Sequence, residues 1–246
     1  MDPAERAVRF IQRLKHTKGQ WKGMPFDLRV WQEKIIRDVF GTIRPDGARQ
    51  YRTVYIEVGR KNGKSELAAA IANKLLFADD EPAAEIYSAA ADRDQAAIVF
   101  EVAAGMVRQS PSLSQRAKLV PSTKRMIYGD SFYRVLSSEH ATKHGFNAHG
   151  VLFDELHTQP SRDLWDVLTT SGGTRRQPLV VAITTAGWDR NSICWEVHDY
   201  ARKVLSGIIK DPTFYAVMYA APDDADWTDE RIWADANPAL GDFRDL

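Results

Sequence analysis

The stretch that most constrains this chain is residues 51–77, YRTVYIEVGRKNGKSELAAAIANKLLF. Residues 51–58 are rich in β-branched and aromatic side chains and predict a strand, whereas Gly63 to about Phe77 predicts a helix. The segment between them is a basic, glycine-bearing turn. Such a turn cradles phosphate, because its backbone N–H groups face phosphate oxygens, the helix N-terminus favours negative charge, and a lysine reaches the terminal phosphates. Gly63 allows the close approach, Lys64 is the lysine, and Ser65 offers a hydroxyl to a Mg²⁺ bridging the β- and γ-phosphates.

Counting back from Gly63, the usual first glycine of such a loop falls at Val58, and the nearest glycine is Gly59. The loop is therefore shortened or reshaped. Gly59, Lys61, Asn62, Gly63, Lys64 and Ser65 are its candidate nucleotide-binding residues, and Arg60 is placed to stabilise charge on a transferred phosphoryl group. A solvated charge is the alternative for Arg60 and Lys61. Taken alone, the tripeptide GKS is no more than a basic turn capped by Ser65; its position after a strand is what gives it weight.

The rest of the chain continues the alternation. Two helical pieces lie in residues 1–40, with Val8, Ile11 and Leu14 on one face of the first, and Trp31, Ile35, Ile36, Val39 and Phe40 in the second. Strands are predicted at 84–90, 150–155, 178–186 and 213–220, with helices starting after Asp92, near 161–170 and near 191–206. Residues 124–137 read as a β-hairpin insertion turning at Gly129 and Asp130, and the segment after 220 reads as acidic and irregular. This pattern predicts an α/β fold, a mostly parallel central sheet flanked by helices, with its ligand at the carboxyl ends of the strands. The expected division is an ATPase-type domain over 1–220 and the start of a linker over 221–246.

The strand GVLFDE leads directly into Asp154 and Glu155, the arrangement of a Walker B motif. Asp154 is expected to hold Mg²⁺, and Glu155 to orient and deprotonate an attacking water. An Asp-Glu pair ending a strand is by itself more often a cap or a turn, and the phosphate loop reverses those odds. One strand later, Thr184, Thr185 and Ala186 end another apolar run beside the same edge, where hydroxyls can sense a γ-phosphate; a plain strand-ending turn at Gly187 is the even alternative. Trp31 and Gln32 are candidates to stack on and hydrogen-bond to adenine, although Trp31 read alone is core.

Lys plus Arg balances Asp plus Glu at 33 each, so any nucleic-acid contact must come from a local patch. Lys15, Lys18, Lys22, Arg175 and Arg176 read as scattered surface charge. Glu139, His140, His144, His149 and His157 crowd the acids without an HExxH pattern, and read as polar loop groups rather than a zinc site. The lone Cys194 excludes an internal disulfide and suits a reducing compartment. No apolar run is long enough to span a bilayer, so a soluble protein in the cytoplasm is expected.

Together, RKNGKS, FDLRVWQ, EIYSAAADRDQA, LSSEHATKHGFNAHGVLFDELH, AITTAG and WTDERIWADANPALG make the chain resemble the ATPase half of tailed-phage large terminases. The resemblance spans most of the sequence. It implies a P-loop NTPase of the ASCE/RecA-like kind that hydrolyses ATP with Mg²⁺ to drive double-stranded viral DNA into a procapsid. It also implies that Gln32 recognises adenine, Arg60 acts on the phosphates in cis, Lys64 and Ser65 bind phosphate and Mg²⁺, and Asp154 and Glu155 are the Walker B aspartate and catalytic glutamate. Thr184, Thr185 and Ala186 match the coupling motif. The implied partners are double-stranded DNA, the portal of the procapsid, the small terminase subunit and further copies in a ring, within the cytoplasm of an infected bacterial host and without a membrane. Arg93, Arg125 and Arg134 are unranked candidates for an arginine acting in trans. A nuclease is expected beyond Leu246, so DNA cleavage is not assigned to these residues. The competing expectations are a helicase-like, nucleic-acid-dependent ATPase and a subunit that binds ATP without hydrolysing it.

Overall fold

The computed structural model describes residues 2–137, 145–222, 225–226 and 228–242; Glu139, His140 and His144 lie outside them. Its strands are β1 (Thr53–Glu57), β2 (Glu85–Ala90), β3 (Ala117–Val120), β4 (Arg125–Tyr128), β5 (Ser131–Ser137), β6 (Gly150–Asp154), β7 (Leu179–Thr184) and β8 (Phe214–Met218). They form one sheet in the order β3-β4-β5-β2-β6-β7-β1-β8. From β5 to β8 every pairing is parallel, while β3, β4 and β5 are antiparallel. The expected hairpin is present, but it is no separate insertion: β5 pairs along its length with β2, and an unforeseen β3 extends the edge.

Side chains alternate across the sheet with a period of two, and each face has its own core. Val54, Ile56, Leu152, Val181 and Ile183 point to the face covered by α1 (Pro3–Gln12), α2 (Val30–Gly41), α3 (Lys64–Phe77) and α4 (Arg93–Arg108). Tyr55, Val151, Phe153, Val180 and Ala182 point to the face covered by helices Asp163–Thr170 and Ile193–Leu205. Each fully buried Ile or Leu of these layers contributes about 1.5–3 kcal/mol. None of the helices among the described residues is long and apolar enough to cross a membrane.

At the amino ends of the parallel strands, Asp79 gathers three cationic or titratable partners. Lys74 Nζ stands 2.8 Å, Arg49 Nη2 3.1 Å and His149 Nε2 2.7 Å from its carboxylate. Burial pushes the Asp79 carboxyl up, but Arg49, Lys74 and His149 outweigh burial and hold it well below the usual carboxylate range. His149 is thus a buried structural residue, and Arg175, expected as surface charge, is bound to Glu81 and to the Pro82 and Ala83 carbonyls.

The segment expected to be irregular after residue 220 contains a helix, Glu230–Ala236, and then returns to the sheet's carboxyl edge. There Ala239 N–H donates to Asn62 Oδ1 at 3.0 Å, and Asp242 pairs with Arg29 Nε at 2.8 Å.

Candidate active site

The carboxyl ends of β1, β6 and β7 lie side by side because β7 is the strand between the other two. Beyond β1, Gly63 adopts φ +77° at the start of α3, a left-handed conformation that glycine reaches without penalty. Lys61 also takes a positive φ, 64°, so the reshaped loop turns on a lysine where a glycine is usual. Gly59 packs closely on the carboxyl-terminal segment: a Cβ there would meet Asn237 Oδ1 at 2.8 Å.

Asn62 is held by contacts within the protein. Its side chain is fully buried and used within the protein: Nδ2 donates to the Gly59, Arg60 and Asn237 oxygens at 3.0, 3.3 and 3.3 Å, and Oδ1 accepts from Ala239 N–H. The amide therefore shapes the loop rather than facing a ligand. Arg60 and Lys61 are exposed on the loop, and Lys64 is buried with Nζ near the Val58 and Gly59 carbonyls and 3.5 Å from Glu155 Oε1.

Ser65 opens α3, on the side of the sheet to which Leu152 points. Asp154, two residues after Leu152, projects to that same side, and Ser65 Oγ–H donates to its Oδ2 at 3.1 Å. Burial, then the neighbouring Glu155, push the Asp154 carboxyl up to about 6, against the pull of Ser65 and Lys64. Its Oδ1 is buried with no hydrogen-bond partner. A buried carboxylate with an unused oxygen beside a serine hydroxyl is a hard-oxygen donor set that fits Mg²⁺, which takes one or two carboxylates and otherwise substrate phosphate and water. Among the described residues, there is no cluster of three or more His, Cys, Asp or Glu side chains able to hold a metal, so a fully protein-ligated site is not formed.

Glu155 follows with φ 53° and ψ 56°, a left-handed conformation that costs a non-glycine residue about 1–2 kcal/mol. This turns its carboxylate back across the edge, where Thr185 Oγ1–H donates to Oε2 at 3.3 Å. Thr184 is fully buried, Thr185 is half-buried, and Ala186 is exposed at the rim of a cavity of about 720 Å³ shared with Gly59, Gly187 and Asn237.

On the other side of the loop, a cavity of about 190 Å³ is lined by His16, Lys18, Trp21, Phe26, Arg29, Gln32, Gly63 and Glu66. Gln32 Oε1 accepts from Arg29 N–H at 3.1 Å, which leaves its amide NH₂ as the free donor. Trp31 is not in this cavity. Neighbours on a helix diverge by about 100°, so with Gln32 at the cavity Trp31 turns into the core, where it packs edge-on against Tyr219 at 5.5 Å. Trp21 lines the cavity, with the Arg29 guanidinium 5.8 Å from its ring centre. Sequence reasoning also missed Glu66, which accepts from Thr17 Oγ1 and contacts His16 Nδ1 at 3.1 Å, tying the amino-terminal loop to α3. Its place directly after Ser65 was the available signal.

Residues 30–203 match the family described as the terminase large subunit, ATPase domain. The large terminase subunit of Enterobacteria phage HK97 is 33% identical over 251 residues, an alignment covering 99% of this chain and 48% of that protein. The crystal structure of the HK97 large terminase superposes with a TM-score of 0.84 at 31% identity, over 100% of this chain and 50% of that one. The large terminase ATPase domain of Thermus phage P74-26, in a mutant form, gives a TM-score of 0.60 at 20% identity, covering 85% and 86% of the two chains, and supports the fold alone. The chain spans about half the length of the HK97 protein it matches.

Proposed function

Because the chain belongs to the family of terminase large-subunit ATPase domains, we propose that it binds ATP at the carboxyl ends of β1, β6 and β7 and hydrolyses it to drive double-stranded viral DNA into a procapsid. The observation that carries this reading is the convergence of Lys64, Ser65, Asp154 and Glu155 at one sheet edge, with Ser65 bonded to Asp154 and Lys64 paired with Glu155.

In this reading the phosphates lie on the N–H groups of the loop and the first turn of α3, where the helix dipole favours negative charge. Lys64 leaves the Val58 and Gly59 carbonyls for the β- and γ-phosphates, and the exposed Arg60 closes over the charge that develops on the transferred phosphoryl group. Ser65 and Asp154 would hold Mg²⁺, which would supply positive charge against the phosphates. Glu155 orients a water in line with the γ-phosphate and accepts its proton as the oxygen–phosphorus bond forms and the bond to the β-phosphate oxygen breaks, giving ADP and phosphate. The base occupies the cavity beside Gln32, against Trp21 and facing the free amide donor of Gln32. Thr184, Thr185 and Ala186 pass the loss of the γ-phosphate to the rest of the motor. The partners of this activity are double-stranded DNA, the portal of the procapsid, the small terminase subunit and further copies of the chain in a ring.

The test is steady-state ATP turnover, alone and with DNA and portal-bearing procapsids, for the wild-type chain and Glu155→Gln. Loss of a general base lowers turnover by about 10²–10⁴-fold, with ATP binding retained. Turnover unchanged in Glu155→Gln overturns the reading.

A further inference from the structure

We propose that His157 is a positioning residue that ties the Glu155 carboxylate to the end of β7, an inference that rests on the hydrolytic reading above. The imidazole is largely buried beneath the site, its side chain 15% exposed. Its Nδ1 lies 3.2 Å from Glu155 Oε2, 3.1 Å from Thr184 Oγ1 and 3.3 Å from Thr185 Oγ1. Three oxygens therefore surround one ring nitrogen.

The donor bookkeeping fixes what that nitrogen does. The 3.2 Å approach of Nδ1 to Glu155 Oε2 is a charge contact, while the hydrogen bonds of Nδ1 go to the two threonine hydroxyls. Thr184 Oγ1–H donates to the Thr185 carbonyl at 2.9 Å, and Thr185 Oγ1–H donates to Glu155 Oε2 at 3.3 Å, which leaves both threonine oxygens as acceptors toward the ring. The ring N–H is thus directed at Thr184 and Thr185, and Thr185 in turn bonds Glu155. The position of the carboxylate and the position of the strand end are linked through these bonds.

The surroundings keep the ring in place. The His157 backbone N–H also faces Thr184 Oγ1 at 3.4 Å, and a Cβ at Gly187 would approach His157 Cβ to 3.3 Å, so the turn after Ala186 packs directly on this residue. Lys64 approaches the other carboxylate oxygen, Glu155 Oε1, at 3.5 Å, so His157 and Thr185 face the Oε2 side.

The experiment compares His157→Ala, His157→Asn and His157→Gln, with Glu155→Gln as control, in ATP turnover and in equilibrium ATP binding, after thermal unfolding has shown which variants are folded. An asparagine N–H falls where imidazole Nδ1–H stands, and a glutamine N–H reaches past it. The expected result is a roughly tenfold fall in kcat for Ala and Gln, less than the about 100-fold that a 1 Å misplacement can cost, with KM for ATP within about twofold and most of the loss recovered by Asn. If Ala does not fold, the Asn and Gln pair decides. Equal losses in Asn and Gln, no loss in either, or a loss confined to ATP binding overturns the inference. Failure of Glu155→Gln to lower turnover would instead overturn the hydrolytic reading itself.

Discussion

Replacing Trp21 and replacing Trp31 should separate nucleotide affinity from stability. Trp21 stands at the cavity beside Gln32 and Gly63, so Trp21→Ala should weaken ATP binding by about 1–3 kcal/mol, the cost of losing one base–aromatic stack, with little change in unfolding. Trp31 is buried against Tyr219, so Trp31→Ala should cost about 3–5 kcal/mol of stability, read by denaturant titration. The opposite pattern would restore Trp31 to the site. The meeting of Lys64, Ser65, Asp154 and Glu155 at one sheet edge was legible in the sequence because each sits at a fixed offset from a strand end, and a strand end fixes position. Trp21 was not, because it lies in an irregular loop whose path depends on Glu66, His16 and Arg29, residues that no periodicity connects. Asn62 was readable as a loop residue, but not as one whose amide is consumed by oxygens of the loop and of a segment 177 positions away.

That distant segment matters at the scale of elements. Residues from Ala236 to Asp242 run along the carboxyl edge of the sheet, bonding Asn62 at the phosphate loop and Arg29 beside the base cavity. Asn237→Ala removes the acceptor that meets Asn62 and faces Gly59, so it should loosen the loop and raise KM for ATP several-fold, while Asp242→Ala, in an exposed pair, should change stability by no more than about 1 kcal/mol. Unchanged KM in Asn237→Ala would mean that the loop holds its shape without this segment. The alternating helices and strands of the core were readable from hydrophobic period alone. The helix Glu230–Ala236 was hidden by acidic residues and by a docking site contributed by other elements, and β3 by its short, half-exposed run.

Across the whole molecule, the two ends of the parallel strands differ: the carboxyl ends hold the candidate site, and the amino ends are fastened by Asp79. Asp79→Asn leaves Arg49 and Lys74 buried without their counter-charge and should cost about 3–5 kcal/mol, with KM for ATP unchanged because the site lies at the opposite edge. The folded pKa of Asp79 is depressed, so its stabilisation is present in full above the unfolded value of about 3.9 and is lost as pH falls below it. Acid unfolding should therefore be shallower in Asp79→Asn than in the wild type; equal slopes would remove Asp79 from this role. The central claim, that one ATP is held by groups from three strand ends, is tested most directly by a structure of the chain with Mg²⁺ and a non-hydrolysable ATP analogue. The account predicts Lys64, Ser65, Asp154 and Glu155 around the β- and γ-phosphates and the base between Trp21 and Gln32; phosphates bound away from the Gly59–Ser65 loop, or a base stacked on Trp31, would contradict it.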